Sequence, residues 1–203
     1  MIAIIDYGMG NIHSVQKALE LAGATAIVTN RIKDIEDAQK LVLPGVGAFG
    51  DAMSELKKQG LVALIKGQIK KKKPFLGICL GMQLLFRESQ EAPGVKGLGV
   101  LGGVVKKFSA SKGLKVPHMG WNELEIKNKN CPLLKDIDNR SYVYFCHSYY
   151  PDPAKASVAA ASCEYGRQFA CVAWQDNVYG AQFHPEKSQE NGLKMLKNFV
   201  RLC

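Results

Sequence analysis

The chain has 203 residues, of which 47% are hydrophobic and 22% are charged, and these proportions are ordinary for a soluble globular protein. Because this length suits one compact domain with a sizeable core, we expect residues 1–203 to form a single domain. The apolar N-terminus has no basic region and meets Asp6 at once, which indicates a strand rather than a signal peptide. No apolar run approaches the roughly 20 residues of a membrane span.

The formal net charge of +9 does not by itself indicate a nucleic-acid partner, because the basic residues are spread along the chain without aromatic residues between them. The densest basic run, at 70–73, is typical of the last turn of a helix, where cations complement the helix dipole; a phosphate-binding patch is the alternative. Six scattered cysteines without a CxxC pair predict reduced thiols in the cytoplasm. No paired Cys/His ligand set is present, so we expect no metal.

Strand and helix patterns alternate in the first half of the chain. We predict strands at 2–5, 26–28, 40–43 and 75–78, and helices at 11–22, 49–59, 61–71 and 80 to about 88. Short apolar strands separated by helices indicate right-handed βαβ units and a parallel sheet.

The second half has shorter apolar runs with more glycine and proline. Strands are predicted within 100–108, 116–126, 142–147, 157–163, 169–174 and 178–183, followed by a helix at about 189–202. Their short spacing indicates an antiparallel or mixed extension. The sequence therefore predicts an α/β fold, an open and mostly parallel flavodoxin-like sheet flanked by helices, with an antiparallel extension.

One cysteine lies in a turn between a predicted strand and a predicted helix. Cys79 follows the apolar segment 75–78, and Gly77 and Gly81 leave space for a tight turn and a close substrate. The dipole at a helix N-terminus favours a thiolate, and α/β proteins place their sites at the carboxyl ends of strands. These features favour a nucleophile over a small buried hydrophobe. The amide of Leu80 is placed to donate to an oxyanion.

A histidine and a glutamate stand two residues apart near the end of the chain. His184 precedes Pro185, which favours an extended conformation, and in an extended segment residues i and i+2 face the same side. Glu186 can therefore hold the imidazole in one tautomer and leave the other ring nitrogen to face a thiol. Together with Cys79, these residues predict a Cys-His-Glu catalytic triad.

Two glycine-containing loops follow predicted strands at the same edge of the sheet. The loop at 44–47 could be an ordinary turn, but its glycines also allow a peptide to rotate, so that the amide of Val46 or Gly47 points at a tetrahedral intermediate. The Gly8-Met9-Gly10 sequence lacks the third glycine of a dinucleotide fingerprint, because His13 occupies that position. We therefore expect an oxyanion loop at 44–47 and no cofactor.

These motifs together resemble a known family, the class I or triad-type glutamine amidotransferases. The cysteine turn and the His-Pro-Glu segment define that class. Three further motifs make the chain similar, more narrowly, to the glutaminase subunits of imidazole glycerol phosphate synthase in histidine biosynthesis: Asp6–Asn11, Val116–Asn122 and Tyr144–Tyr149. The motifs run in the family's order and cover nearly the whole chain.

The resemblance implies the reaction and the residues that carry it. L-glutamine would bind with its side-chain amide at Cys79, His184 would protonate the leaving ammonia, and water would hydrolyse the γ-glutamyl thioester to glutamate. By their positions in the family's motifs, the residues that hold glutamine would be Gly47, Gln83, Glu91, Ser148 and Tyr149. The acidic Glu91 suits the α-ammonium group of the substrate.

The resemblance also implies a partner. Ammonia would pass to a (β/α)8 cyclase subunit that makes imidazole glycerol phosphate and an aminoimidazole carboxamide ribotide, and the two subunits would form a heterodimer. Interface residues would be Asn11, Trp121, Tyr144 and Lys187, although aromatic residues buried in the core are the alternative reading. Members of this family are nearly inactive until the partner binds its ligand, and we expect the loop at 44–47 to be the switch.

Three other functions stay open on the sequence. One is a glutaminase subunit that feeds another acceptor, such as aminodeoxychorismate, pyridoxal phosphate or a surface-polysaccharide amidotransferase. Another is a cysteine peptidase or γ-glutamyl hydrolase on a similar sheet, which would lack the interface motifs. The third is a non-catalytic binding subunit, against which the intact Cys79, His184 and Glu186 argue.

Overall fold

The computed structural model describes residues 1–109 and 114–203. Its strands, numbered along the chain, are β1 (Ile2–Ile5), β2 (Ala26–Thr29), β3 (Lys40–Gly45), β4 (Phe75–Cys79), β5 (Glu88–Ser89), β6 (Gly103–Lys107), β7 (His118–Glu123), β8 (Glu125–Ile126), β9 (Tyr142–His147), β10 (Tyr149–Pro153), β11 (Ala159–Glu164), β12 (Gln168–Gln175) and β13 (Val178–Ala181). Its α-helices are α1 (Ile12–Leu21), α2 (Ile32–Asp37), α3 (Phe49–Lys58), α4 (Leu61–Lys70), α5 (Leu80–Leu84) and α6 (Gln189–Leu202), and 3-10 turns cover Pro132–Leu134, Ala156–Val158 and Pro185–Lys187. Within the described ranges, no helix is long and apolar enough to cross a membrane.

The central sheet has the strand order β2-β1-β3-β4-β13-β12-β11-β8. Strands β2, β1, β3, β4 and β13 are parallel to one another, and β12, β11 and β8 continue the sheet with antiparallel pairings. The predicted fold class is therefore confirmed. Three strands that we expected in the extension pair elsewhere: β6 lies in the small sheet β10-β6-β5, while β7 and β9 pair with each other.

Apolar side chains fill both faces of the parallel part of the sheet. In β1, Ile2 and Ile4 join one buried cluster while Ala3 and Ile5 join the other, as the two-residue period of a strand requires. The first cluster takes residues from α1 and α6, and the second takes residues from α2, α3 and α4. Strands covered on both faces need continuous apolar runs, which explains why β1, β3 and β4 were readable in the sequence.

Three elements differ from the sequence prediction. The helix expected from 80 to about 88 ends as α5 at Leu84, and the chain then forms β5; the continuous burial from Leu80 to Phe86 gives no pattern that marks this end. Helix α2 was missed because its six residues bury only Ile35. Strand β10 was missed because it contains Pro151 and Pro153. It is an edge strand of its sheet, which is where proline is tolerated.

The basic run at 70–73 lies at the C-terminal end of a helix, as predicted. Helix α4 ends at Lys70. The Nζ atom of Lys73 donates hydrogen bonds to the carbonyl oxygens of Ile35 at 2.9 Å and Glu36 at 2.7 Å, in the last turn of α2. Part of this positive charge therefore satisfies helix-end carbonyls within the fold.

Candidate active site

The turn that carries Cys79 joins an interior strand of the sheet to a short helix. Cys79 ends β4 with φ 54° and ψ −111°, a conformation that residues with a side chain rarely adopt. A Cβ atom on Gly77 would lie 2.5 Å from the oxygen of Gly81, and a Cβ atom on Gly81 would lie 1.8 Å from the oxygen of Leu43. Both glycines are thus required by close backbone contacts. Strain of this kind persists where the surroundings enforce it, and it is typical of nucleophile turns.

The imidazole of His184 lies between the thiol and a buried carboxylate. Strand β13 pairs with β4, so the chain after β13 brings His184 to the edge of the sheet where Cys79 lies. Its Nδ1 donates to Oε1 of Glu186 at 2.8 Å, and Cys79 lines the same cavity as the ring. Burial alone would lower the pKa of His184, but the interactions with Cys79 and Glu186 outweigh it and raise the pKa to about 10. The ring is therefore protonated at neutral pH and able to give a proton to a leaving group.

The segment that carries His184 is fixed to strand β9. The amide of His184 donates to the carbonyl of Tyr144 at 2.9 Å. The hydroxyl of Ser188 donates to the carbonyl of His184 at 2.7 Å and accepts from the amide of Tyr144 at 2.9 Å. The side chain of Glu186 is only 1% exposed, and its Oε2 atom has no hydrogen-bond partner among the described residues. These bonds thus fix the backbone of His184 against β9.

A cavity of about 370 Å³ opens in front of the thiol. This is within the usual range for small-molecule sites. Every residue that we predicted to bind glutamine or to form the oxyanion site lines this cavity, together with Cys79 and His184. The lining residues are Val46, Gly47, Cys79, Leu80, Gln83, Glu91, Pro117, Cys146, His147, Ser148, Tyr149, His184 and Lys187.

Two of the predicted glutamine-binding side chains already make internal hydrogen bonds. The Nε2 atom of Gln83 donates to the carbonyl of Tyr149 and to Oε1 of Gln182, both at 3.0 Å. The Oε2 atom of Glu91 accepts from the amide of Phe49 at 2.8 Å, at the first residue of α3. Glu91 therefore caps a helix with one oxygen, and its other oxygen makes no hydrogen bond among the described residues.

The predicted oxyanion groups come from two chain segments. Gly47 has φ 94°, in the left-handed region that favours glycine, and Val46 beside it is 43% exposed. Leu80 is the first residue of α5, where backbone amides have no acceptor within the helix. Both segments line the same cavity as Cys79, which places them next to the space where a tetrahedral intermediate would form.

Three of the four predicted interface residues, Trp121, Tyr144 and Lys187, form one stack, and Lys187 also lines the cavity. The rings of Trp121 and Tyr144 meet edge to face with centroids 6.0 Å apart, and Nζ of Lys187 lies 6.0 Å from the Tyr144 ring. Trp121 is 46% exposed, so it is not a core residue. Asn11 directly precedes α1, and no hydrogen bond joins it to this stack among the described residues.

Sequence reasoning missed a side chain that contacts the thiol. The Nε2 atom of Gln182 lies 3.8 Å from Sγ of Cys79 and donates to it. Gln182 stands two residues before His184, so the i, i+2 argument that placed Glu186 would also have placed Gln182 on the same side. Gln83, Gln182 and Cys79 therefore form a chain of polar contacts at the back of the cavity.

A buried pair of histidines beside the cavity was also missed. His147 Nδ1 lies 2.7 Å from the carbonyl of Tyr149, which can only accept, so His147 Nε2 accepts from His118 Nδ1 at 3.0 Å. His118 Nε2 in turn accepts from Asn122 Nδ2 at 3.2 Å. These partners fix both neutral tautomers. Burial lowers the pKa of His118 to about 4 and that of His147 to about 3.

The histidine pair predicts a loss of stability in mild acid. Both pKa values are lower in the folded than in the unfolded state, so the unfolded chain binds more protons below about pH 6.5, the ordinary histidine pKa. As the pH is lowered from about 6.5 to 5, the free energy of unfolding should therefore fall by about 1.4 kcal/mol per pH unit for each histidine. Urea unfolding at several pH values measures this slope, and His118→Phe should halve it. A flat profile would mean that the pair is not held neutral.

Between about pH 6.5 and 5, His184 contributes little to this change in stability. The pKa of His184 is raised on folding, so its stabilising effect is fully present below about pH 6.5 and is lost only as the pH rises towards 10. The slope between pH 6.5 and 5 therefore reports on His118 and His147 rather than on the triad.

Comparison with protein families matches residues 3–203 to the family described as Glutamine amidotransferase class-I. The chain therefore belongs to the class I glutamine amidotransferases. Solved structures support the fold: a crystal structure of a glutamine amidotransferase has a TM-score of 0.76 and 18% identity, covering 98% of this chain and 100% of that one. PurLQS from Thermotoga maritima also has a TM-score of 0.76, with 19% identity, covering 98% and 96%.

Curated relatives place the chain in a narrower group within this class. The chain is 51% identical over 201 residues to the imidazole glycerol phosphate synthase subunit HisH of Gloeothece citriformis, covering 98% of this chain and 95% of that one. It is 53% identical to the same subunit of Caldanaerobacter subterraneus, covering 98% and 97%, and 49% identical to HisH 1 of Campylobacter jejuni over the whole of both chains. Within its class, the chain belongs with these HisH subunits.

Proposed function

We propose that this chain is a glutaminase that hydrolyses L-glutamine to glutamate and ammonia, as one subunit of an imidazole glycerol phosphate synthase in histidine biosynthesis. The observation that carries the proposal is that Cys79 and His184 line the same cavity as the predicted glutamine-binding residues, while the buried Glu186 bonds to the ring of His184. Family membership supports the same reaction. Residues 1–203 would act as one domain.

The first half of the reaction forms a thioester. The sulfur of Cys79, as thiolate, attacks the side-chain carboxamide carbon of glutamine, and the carbonyl oxygen becomes an oxyanion that accepts from the amides of Leu80 and the loop at 44–47. The C–N bond then breaks, and His184 gives its proton to the leaving nitrogen, so ammonia departs. Glu186 keeps the imidazole oriented, and Gln182 helps to hold the sulfur.

The second half removes the glutamyl group. A water molecule attacks the thioester carbon while His184, now neutral, takes its proton. The C–S bond breaks and glutamate leaves, which returns Cys79 and His184 to their starting state. The α-ammonium of glutamine would face the free oxygen of Glu91, and the backbone at Gly47, Ser148 and Tyr149 would hold the rest of the substrate.

The proposed partner is the (β/α)8 cyclase subunit, in a heterodimer. The stack formed by Trp121, Tyr144 and Lys187 adjoins the cavity through Lys187, so a partner bound on this stack would lie beside the route by which ammonia leaves. An exposed aromatic residue beside a cation is a frequent centre of binding energy. We further propose the cytoplasm as the compartment, because all six cysteines are free thiols.

Trp121→Ala is expected to weaken binding of the cyclase subunit by about 30-fold, which corresponds to roughly 2 kcal/mol for a central aromatic side chain. Isothermal titration calorimetry with the purified subunit measures this. Leu21→Ala is the matched control, because Leu21 is an exposed apolar residue outside the proposed interface. It is the last residue of α1, at the opposite end of that helix from Asn11. If both variants bind like the wild type, the Trp121 surface is not the interface.

Glutamate release from L-glutamine tests the function directly. The assay compares the chain alone, with the cyclase subunit, and with the cyclase subunit plus imidazole glycerol phosphate. Release that rises strongly with the liganded partner supports the proposal, and formation of imidazole glycerol phosphate from the cyclase substrate with glutamine as nitrogen source identifies the acceptor. Release without transfer to that acceptor would favour a glutaminase for another pathway. No release from a chain with reduced Cys79 would contradict the proposal.

A further inference from the structure

Two loops that follow neighbouring strands pack tightly against each other. The first loop, Tyr7–Asn11, follows β1, and the oxyanion loop, Pro44–Gly47, ends β3. A Cβ atom on Gly45 would lie 2.5 Å from the Tyr7 hydroxyl, one on Gly47 would lie 2.8 Å from the Met9 methyl, and one on Gly10 would lie 3.6 Å from Pro44. The backbone of the oxyanion loop therefore rests directly on side chains of the first loop.

The hydroxyl of Tyr7 has an unusual environment. Tyr7 is 0% exposed, and its Oη atom has no hydrogen-bond partner among the described residues. Burial, together with the nearby Cys79, raises the pKa of Tyr7 well above its ordinary value, so the group stays protonated and can donate. A buried donor without an acceptor destabilises the state that contains it, and any state that supplies an acceptor is favoured by comparison.

We propose that Tyr7 is a positioning residue: its hydroxyl donates to the carbonyl of Gly45 when the oxyanion loop is in its catalytic form, and lacks this bond in the resting form. The inference rests on the proposed glutaminase function. The N–H and C=O of one trans peptide point in opposite directions. Turning the amide of Val46 into the cavity therefore turns the carbonyl of Gly45 towards the interior, where the Tyr7 hydroxyl lies.

The placement of the surrounding residues fits this role. Val46 lines the cavity, whereas Tyr7 does not and lies on the buried side of the loop. Gly45 leaves room for the hydroxyl because it has no Cβ atom. At the other end of the first loop stands Asn11, one of the proposed interface residues. A partner that contacts Asn11 therefore has a short path of packed atoms to the peptide that must rotate.

Tyr7→Phe removes the hydroxyl and keeps the ring. Because this atom is unpartnered at rest, we expect the melting temperature of the isolated chain to stay the same or rise by about 2–4 °C. We define the stimulation ratio as the glutaminase rate with the cyclase subunit and imidazole glycerol phosphate, divided by the rate without them. Because the hydroxyl is bonded in the catalytic form, we expect this ratio to fall about tenfold in Tyr7→Phe, which corresponds to the free energy of one hydrogen bond. A purely structural role would move stability and activity in the same direction.

Tyr179→Phe is the matched control. Tyr179 is also buried, but its hydroxyl bonds to the side chain of Cys203, far along the chain from the oxyanion loop. We expect this variant to lower the melting temperature by about 2–4 °C and to leave the stimulation ratio unchanged.

Three outcomes would overturn the inference. An unchanged stimulation ratio in Tyr7→Phe would mean that the hydroxyl makes no bond specific to the catalytic form. A melting temperature that falls as it does in Tyr179→Phe would mean that the hydroxyl already has a partner at rest. A wild-type chain that releases no glutamate under any condition would instead remove the proposed function, and this inference with it.

Discussion

Cys79→Ala is expected to lower glutamate release from L-glutamine by at least about a thousandfold, because it removes the thiol proposed to form the thioester beside His184. The measurement is steady-state glutamate formation in the presence of the cyclase subunit and imidazole glycerol phosphate. Binding of glutamine should persist in calorimetry, since the residues proposed to hold it remain in place. The partner should also bind normally.

Cys146→Ala is the matched control for this change. Cys146 lines the same cavity, but it is its backbone carbonyl that faces the thiol, at 4.0 Å from Sγ of Cys79. Loss of the Cys146 side chain should therefore leave glutamate release within a few-fold of the wild type. A Cys79→Ala enzyme with more than a tenth of normal activity would exclude the proposed nucleophile.

Gly81→Ala is the second substitution with a large expected effect. The new methyl group would lie 1.8 Å from the carbonyl oxygen of Leu43, and backbone on both sides leaves little room to adjust. We expect the free energy of unfolding to fall on the order of 3 kcal/mol. Since the displacement would begin two residues after Cys79, glutaminase activity should be lost as well. Urea unfolding and the glutamate assay measure the two effects.

Gly67→Ala makes the same chemical change in a different environment. Gly67 lies inside α4, and an added Cβ atom would meet nothing within 4 Å. Because alanine is the better helix former, this variant should gain up to about 1 kcal/mol of stability. If Gly81→Ala were as stable as Gly67→Ala, the conclusion that the nucleophile turn packs tightly against β3 would be wrong.

The parts of the fold that were predictable from sequence are those with strong local signals. Strands β1, β3 and β4 are continuous apolar runs because both of their faces are covered, and α1 and α6 show a clear apolar stripe. The end of α5 could not be predicted, since the two buried apolar residues that follow it, Leu85 and Phe86, are equally compatible with helix and strand. The separate pairing of β7 with β9 depends on contacts between segments about twenty residues apart, which local patterns do not encode.

Some residues of the candidate site also have a local sequence signal, whereas others come together only through the fold. Cys79, His184 and Glu186 were identified by turn chemistry and by the i, i+2 geometry of an extended segment, and Gln182 was within reach of the same reasoning. The pair His118 and His147 could not be found, because each residue is an ordinary histidine until the fold places them 3.0 Å apart. For the same reason, nothing local indicates that the hydroxyl of Tyr7 would be buried against Gly45.

The position of β13 in the sheet has a consequence for how the protein becomes active during synthesis. The strand lies between β4 and β12, so the first half of the chain can pair β2, β1, β3 and β4 while β4 remains an open edge. Cys79 is then present in its turn, but His184, its proposed partner, is more than a hundred residues further along the chain. On the proposed mechanism, the thiol and the imidazole would therefore meet only when β13, the last strand, inserts beside β4.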